Sequence, residues 1–235
     1  DDAQRIAHLF LTVIPRMDQD TGVCFAYTPV DTRKVHNANL LTAEHLLAVW
    51  KRTDDAACLA AAEPAVAYTL SRQRDDGAWP YGEYTAGEPF EPELLRLVDH
   101  HHTGFVLRSL ANIHAARPEL GVLEALHKGW NFYHRHLFSK GGMPIHDYGA
   151  WPLDIHSCAE AVLCPSALAP LIRRTQPVAL DAIRWAWPLL RDPATGAVWH
   201  RKYKRFTAKI VYPRWGVAWM HRALAEYLFA FYTEE

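Results

Sequence analysis

Apolar residues recur along this chain at helical spacing, most plainly near its end, where Val217, Met220, Leu224, Leu228 and Phe231 fall on one face. The same period predicts eight helices in four hairpins. An opening helix over about residues 2–14 precedes Asn37–Trp50. Asp55–Gln73 precedes Thr103–Ala116, Pro118–Phe138 precedes Ser157–Ile172, and Pro177–Leu190 precedes Trp215–Tyr232. Pro64 and Pro165 mark kinks or early turns. Links between hairpins are short. Links within them are long: Asp18–His36, Arg74–His102, Ser139–His156 and Arg191–Arg214. Long connections in a compact domain are commonly functional. Alternating runs such as Val23–Tyr27 and Val198–Tyr203 predict small β-hairpins within them. In an antiparallel stack all four long links share a face, so the expectation is one elaborate face and one plain one.

A phrase opens the second helix of each hairpin. It reads His36-Asn37-Ala38, His102-Thr103-Gly104, His156-Ser157-Cys158 and Arg214-Trp215-Gly216, with starts 66, 54 and 58 residues apart. Asn37, Thr103 and Ser157 are residue types that cap helix N-termini. The repeat therefore predicts similar units, each delivering a basic side chain to a helix mouth, where free amides attract anions. If the units form a ring, His36, His102, His156 and Arg214 reach a common cleft.

Composition narrows this reading. The chain has 235 residues, half of them hydrophobic, and one domain over residues 1–235 is expected. With 25 Lys and Arg against 26 Asp and Glu, nothing favours nucleic acid as a general partner. Cys24, Cys58, Cys158 and Cys164 form no CxxC pair and read as buried free thiols. No apolar run has the length of a membrane span. The chain starts at Asp1, so the lack of a signal-like start says little, and a cytoplasmic location is expected with a periplasmic one as the alternative.

Four clusters are candidates for chemistry. Asp99 precedes His102 by three residues and Asp154 precedes His156 by two, a placement that lets a carboxylate orient an imidazole for acid–base work or simply cap a helix. Asp76–Glu83 contains a turn signal, Asp76-Gly77, followed by Trp79, Tyr81 and Glu83. Such aromatics serve as a sugar platform or as the lid of a helical core. Arg201, Lys202, Lys204, Arg205, Lys209 and Arg214 are interleaved with Trp199, Tyr203, Phe206, Tyr212 and Trp215, which suits an anionic polymer or an exposed edge strand. His100, His101 and His102 stand together, but adjacent residues are not expected to converge on one ion without His146, Asp147 or His156. Neither a metal nor another cofactor is expected.

The blocks DGAWPYGE (76–83), DHHHTGFVL (99–107), DIHSCAEA (154–161) and YPRWGVAWMHRALA (212–225) together resemble the VpsJ-type proteins of bacterial surface-polysaccharide gene clusters. These are grouped with the α/α toroids of terpenoid cyclases and prenyltransferases. The resemblance runs from about His36 to the end. It implies an all-α, α/α-toroid fold, here an incomplete or small ring of four hairpins. It also implies a role in making or modifying an exopolysaccharide, with a glycan substrate and other polysaccharide-biosynthesis proteins or a second copy as partners. Similar toroids include glycoside hydrolases, polysaccharide lyases and uronyl epimerases.

The expected site then has Asp99, His102, Asp154, His156 and Arg214 in catalysis. His36, Asn37, Asn39, Trp79, Tyr81, Glu83, His101, Tyr148, Lys209, Tyr212 and Trp215 hold the substrate. Hydrolysis would use two carboxylates from Asp99, Asp154 and Glu83. Lyase or epimerase chemistry on a uronic acid would use His102, His156 or Tyr212 as base, with Arg214 neutralising the sugar carboxylate. The basic loop favours the second form. The alternatives are an isoprenoid cyclase or prenyltransferase-like enzyme, for which no DxDD run is present, and a noncatalytic glycan-binding protein.

Overall fold

The computed structural model describes residues 1–84 and 92–233. The described residues are mostly helical, with a few two- to four-residue strands, and they form two compact units: Asp1–Val98 with Phe105–Trp130, and Asp99–Gly104 with Asn131–Glu235.

In the first unit, helix α1 (Asp2–Thr12) is capped by the Asp1 side chain, which accepts from the Ala3 amide at 2.9 Å. Strands β1 (Arg16–Gln19) and β2 (Gly22–Phe25) form the hairpin expected around Val23–Tyr27. Strand β3 (Lys34–Val35) leads directly into α2 (His36–Thr53) and pairs with β4 (Gly82–Glu83). Helix α3 (Ala56–Ser71) follows α2 after Asp54, whose left-handed φ of 55° makes the reversal, and Asp55 caps it. Pro64 is accommodated inside α3. A short helix, α4 (Pro92–Arg96), lies in the long connection that precedes α5 (His100–Ala116). Part of that connection, residues 85–91, lies outside the described residues. A 3-10 turn (Pro118–Leu120) then leads to α6 (Leu123–His136). Leu40, Leu46, Leu47, Leu107, Leu110, Ile113 and Leu126 form the buried centre of the unit. Burial at about 25 cal/mol per Å² of apolar surface is the main term holding these helices together.

The second unit takes the first turn of α5 and the end of α6. Strand β5 (Leu153–Asp154) runs directly into α7 (Ile155–Ala167), as β3 runs into α2. Helix α8 (Thr175–Leu190) and the hairpin of β6 (Arg201–Lys202) and β7 (Thr207–Ala208) follow. A π-turn (Pro213–Ala218) then opens α9 (Trp219–Tyr232). The sheet order is β5-β6-β7, antiparallel throughout. Ile155, Val162, Leu163, Ala179, Ala182, Leu190, Met220, Ala223 and Tyr227 pack in its core. All four cysteines are buried thiols outside any disulfide. No described helix is long and apolar enough to cross a membrane.

The helix starts differ from expectation in an instructive way. Asn37, Thr103 and Ser157 are not caps but lie within the first turn. Asp154 is the cap of α7, accepting from the His156 amide at 2.8 Å, and Asp99 does the same at α5, accepting from the His102 amide at 2.8 Å. At α2 the cap position is Val35, with no side-chain cap bond. At α5 and α7 the helix starts earlier than expected because an upstream carboxylate already accepts from a first-turn amide. The small residue after the expected cap does have the expected use at Gly104: a Cβ there would meet the Glu160 side chain at 2.3 Å.

Candidate active site

The second unit contains a cleft of about 460 Å³ lined by His101, Asp154, His156, His200, Arg201, Tyr212 and Trp215. Three elements supply it. The first turn of α5 carries Asp99, His101 and His102, the β5–α7 junction carries Asp154 and His156, and the chain from β6 to the π-turn carries the rest.

Two carboxylates organise the imidazoles. Asp99 is buried, and its Oδ2 forms a short hydrogen bond with His102 Nδ1 while its Oδ1 lies 3.4 Å from His101 Nδ1. Burial alone would raise its pKa. The bond to His102 and the two neighbouring rings outweigh that and hold it well below the usual carboxylate range. Asp154 Oδ2 accepts from Arg201 Nε at 2.5 Å. There too burial raises the pKa, and the guanidinium and the His156 amide bring it below the ordinary value. Both carboxylates are therefore ionised at neutral pH.

The rings stack in sequence. His101 lies 4.0 Å from His102 and 4.8 Å from His156, centroid to centroid, the latter pair at an interplanar angle of 23°. The Ser157 hydroxyl is 3.5 Å from His101 Nδ1. Burial pulls His101 down to about 3, against the opposing pull of Asp99, so it is neutral at pH 7. His156 packs beside Trp219 at 5.0 Å and Trp215 at 5.4 Å. Trp215 is half exposed, Arg214 lies over its ring at 5.6 Å, and Tyr212 stands edge-on to His200 at 4.9 Å.

The expected catalytic residues Asp99, His102, Asp154, His156 and Arg214 all belong to this unit; of these Asp154 and His156 line the cleft, as does His101, while Asp99 and His102 stand behind His101 and Arg214 beside Trp215. His200, Arg201 and Trp219 are additions. Lys209 sits over Trp199 at 4.7 Å, and Tyr148 stacks on His146 at 4.8 Å, where burial pushes its phenol up to about 12. His100 turns away from the cleft. Its Nδ1 meets the Leu137 carbonyl oxygen at 2.8 Å and its Nε2 meets the Tyr133 hydroxyl at 2.6 Å. Asp99, His101 and His102 place one ligand atom each within 4.8 Å of one another, close enough to hold a metal ion. As expected, the adjacent residues do not all converge, since His100 diverges; but the first helical turn brings Asp99, His101 and His102 together without His146, Asp147 or His156, the partners expected to be needed.

The remaining expected residues belong to the first unit, and several have structural tasks. Trp79 is only 2% exposed, and its indole N–H donates to the Thr69 carbonyl at 2.8 Å. It is part of the core rather than a sugar platform, because the turn at Gly77 directs it inward against α6, where Gly129 leaves room for its ring. Asn39 is fully buried; it accepts from the Phe25 amide at 2.9 Å and donates to the Ala65 carbonyl and the Thr69 hydroxyl at 2.8 and 2.9 Å. It fastens β2 to α3, and with both N–H groups used and no exposed surface it is a structural residue. Tyr81 ties two segments through its backbone, accepting from His36 N and donating to Leu97 O. Glu83 accepts from the Tyr68 hydroxyl at 2.7 Å and pairs with Arg72. His36 and Asn37 are buried at the start of α2, and both His36 ring nitrogens and Asn37 Oδ1 lack a hydrogen-bond partner among the described residues.

The buried histidines make acid stability a test of these environments. Burial lowers His36, His100 and His101 each to about 3, against about 6.5 in an unfolded chain. Below pH 6.5 the unfolded chain binds protons that the folded one refuses, so stability falls as the pH drops toward 3. The expected loss between pH 7 and 5 is on the order of 2 kcal/mol per histidine. Thermal melts across this range check it; a melting temperature unchanged from pH 7 to 5 would show that the rings are open to water.

No family model matches the chain, and no curated protein matches it. Solved structures do. An inactive variant of the α-1,6-mannanase of Salegentibacter sp., in complex with α-1,6-mannotriose, superposes with a TM-score of 0.72 at 12% identity, over 97% of this chain and 64% of that one. The GH76 α-mannanase of Bacteroides thetaiotaomicron gives 0.70 at 12%, over 98% and 62%. A possible member of the GH105 family from Salmonella enterica gives 0.70 at 15%, over 98% and 66%. The fold is that of the α/α toroids. At these identities the likeness is one of fold, and the chain spans less than two thirds of the length of the two mannanases.

Proposed function

We propose that this protein is a carbohydrate-active enzyme that moves protons on an anionic, uronic-acid-containing glycan, by epimerase or lyase chemistry. One observation carries the reading: Asp99 is hydrogen-bonded to His102 and Asp154 to Arg201, contacts that favour the ionised form of both carboxyls. Two-carboxylate hydrolysis needs one carboxyl that keeps its proton near neutral pH. Neither fits that role. The groups that can exchange protons in the cleft are imidazoles. His101 is neutral and is placed to accept a proton from a carbon beside the sugar carboxylate; burial makes it a weak base on its own, and Asp99 and Asp154, which both pull its pKa back up, stabilise the charge it takes on during the transfer. His156, stacked against it, returns a proton to the sugar or to the leaving oxygen. Asp99 fixes the tautomer of His102 by accepting from its Nδ1, which leaves Nε2 as that ring's basic nitrogen. Trp215 and Tyr212 offer stacking faces, and Arg214 and Lys209 supply the cations.

The toroid neighbours support a sugar substrate: beside the mannanases they include a sugar epimerase from a ruminal bacterium and an unsaturated glucuronyl hydrolase specific for heparin. The resemblance to surface-polysaccharide proteins supports a glycan under construction or modification rather than one being digested.

The test is incubation in D2O with uronic-acid oligosaccharides, followed by proton NMR. Deuterium is expected at the carbon next to the carboxylate, accompanied by an epimer or a new double bond. New reducing ends without carbon-bound deuterium would support hydrolysis instead and overturn the proton-transfer assignment.

A further inference from the structure

A second concavity, of about 340 Å³, opens on the β5–β6–β7 sheet, lined by Trp151, Pro152, Tyr203, Lys204, Arg205 and Phe206. We propose that it is a binding slot for a neighbouring sugar unit of an acidic polysaccharide chain, continuous with the cleft; this rests on the reading above.

Strand register carries the continuity. Asp154 pairs with Arg201 and Leu153 with Lys202, so the next positions along the ladder are Pro152 and Tyr203. Both walls of the slot thus continue the two strands that bring Asp154 and Arg201 to the cleft. Two residues of extended chain advance about 7 Å, roughly one sugar ring. Pro152 and Tyr203 lie one residue beyond the paired ends of β5 and β6, and both line the slot.

The lining has the chemistry for a charged sugar. The Tyr203 and Phe206 rings stack at 4.5 Å and 15°, held by the Tyr203 amide donating to the Phe206 carbonyl at 2.8 Å. Phe206 is nevertheless 59% exposed. An aromatic ring left that open at a hairpin tip contributes little to the core and suits the apolar face of a pyranose. Lys204 and Arg205 sit at the turn, exposed, with no acidic partner among the described residues. They favour a carboxylate-bearing sugar over a neutral one. An edge hairpin also uses such cations to avoid pairing, but that need does not account for the aromatic pair or the concavity behind it.

Binding of di- and hexasaccharides of galacturonate and alginate, measured by calorimetry at two salt concentrations, tests the slot. Wild type should bind an acidic hexasaccharide about tenfold or more tighter than the disaccharide. Phe206→Ala should remove about five- to tenfold of that advantage, leaving disaccharide binding and melting temperature unchanged. Lys204→Glu with Arg205→Glu should do the same and flatten the salt dependence. Equal affinity for both lengths, equal loss for both in Phe206→Ala, equal affinity for a neutral mannan hexasaccharide, or no binding of any acidic hexasaccharide overturns the proposal. So does a dimer in wild type that Phe206→Ala dissolves without changing glycan affinity, since the slot would then hold a second copy. Because only binding is read, length dependence without deuterium exchange would sink the chemistry and spare the slot, and exchange without length dependence would do the reverse.

Discussion

His101→Gln is expected to slow deuterium exchange into the glycan by two to four orders of magnitude, the usual contribution of a positioned acid–base group, while leaving the fold intact. His101 lines the cleft, is neutral because of its burial, and has Asp99 on one side and His156 on the other. Glutamine keeps a polar side chain of similar reach and removes the basic nitrogen. His156→Gln should have a loss of similar size, and the double variant should be little worse than either alone, since proton removal by one ring and return by the other act as a unit. Asp99→Asn separates orientation from charge. Asparagine caps a helix as well as aspartate does, so α5 should survive. The imidazolium formed during the reaction would lose its counter-charge, and the rate should fall by a smaller factor. Initial exchange rates with matched melting curves decide the matter. A His101→Gln protein that keeps more than about a tenth of the wild-type rate would remove His101 from the mechanism.

Trp79→Ala is expected to be the most destabilising single change in the first unit, at about 3–5 kcal/mol. The ring is almost wholly buried, and its N–H satisfies the Thr69 carbonyl. Truncation opens a cavity and strands an acceptor, two costs that add. For a chain of this size about 1 kcal/mol corresponds to a few degrees, so the melting temperature should fall by roughly 10 °C. Trp215→Ala is the contrast. That ring is 51% exposed beside the cleft, and its loss should cost little stability but weaken glycan binding. Reversed outcomes, with Trp79→Ala melting normally and binding poorly, would restore the sugar-platform reading of residues 76–83.

The sequence by itself determined the helices, the hairpin around Val23 and the placing of chemistry at the α5 and α7 starts. Helical period and local turn chemistry are short-range, and an Asp two or three residues before a His is a neighbour in any helix start. The same locality explains why Asp99, His101, Asp154 and His156 could be named. Only the tertiary structure decided their roles. Asp154 owes its ion pair to Arg201, 47 residues away, and a strand register that places them opposite each other is a long-range choice no local pattern encodes. Trp79 and Asn39 looked like binding residues because aromatic and amide side chains serve pockets and cores alike. Burial separates the two uses, and it depends on which helices and strands close over the residue. The expected caps failed as well. Asp99 and Asp154 accept from the His102 and His156 amides, which lie upstream of Thr103 and Ser157, so each helix is already under way where the expected cap stands.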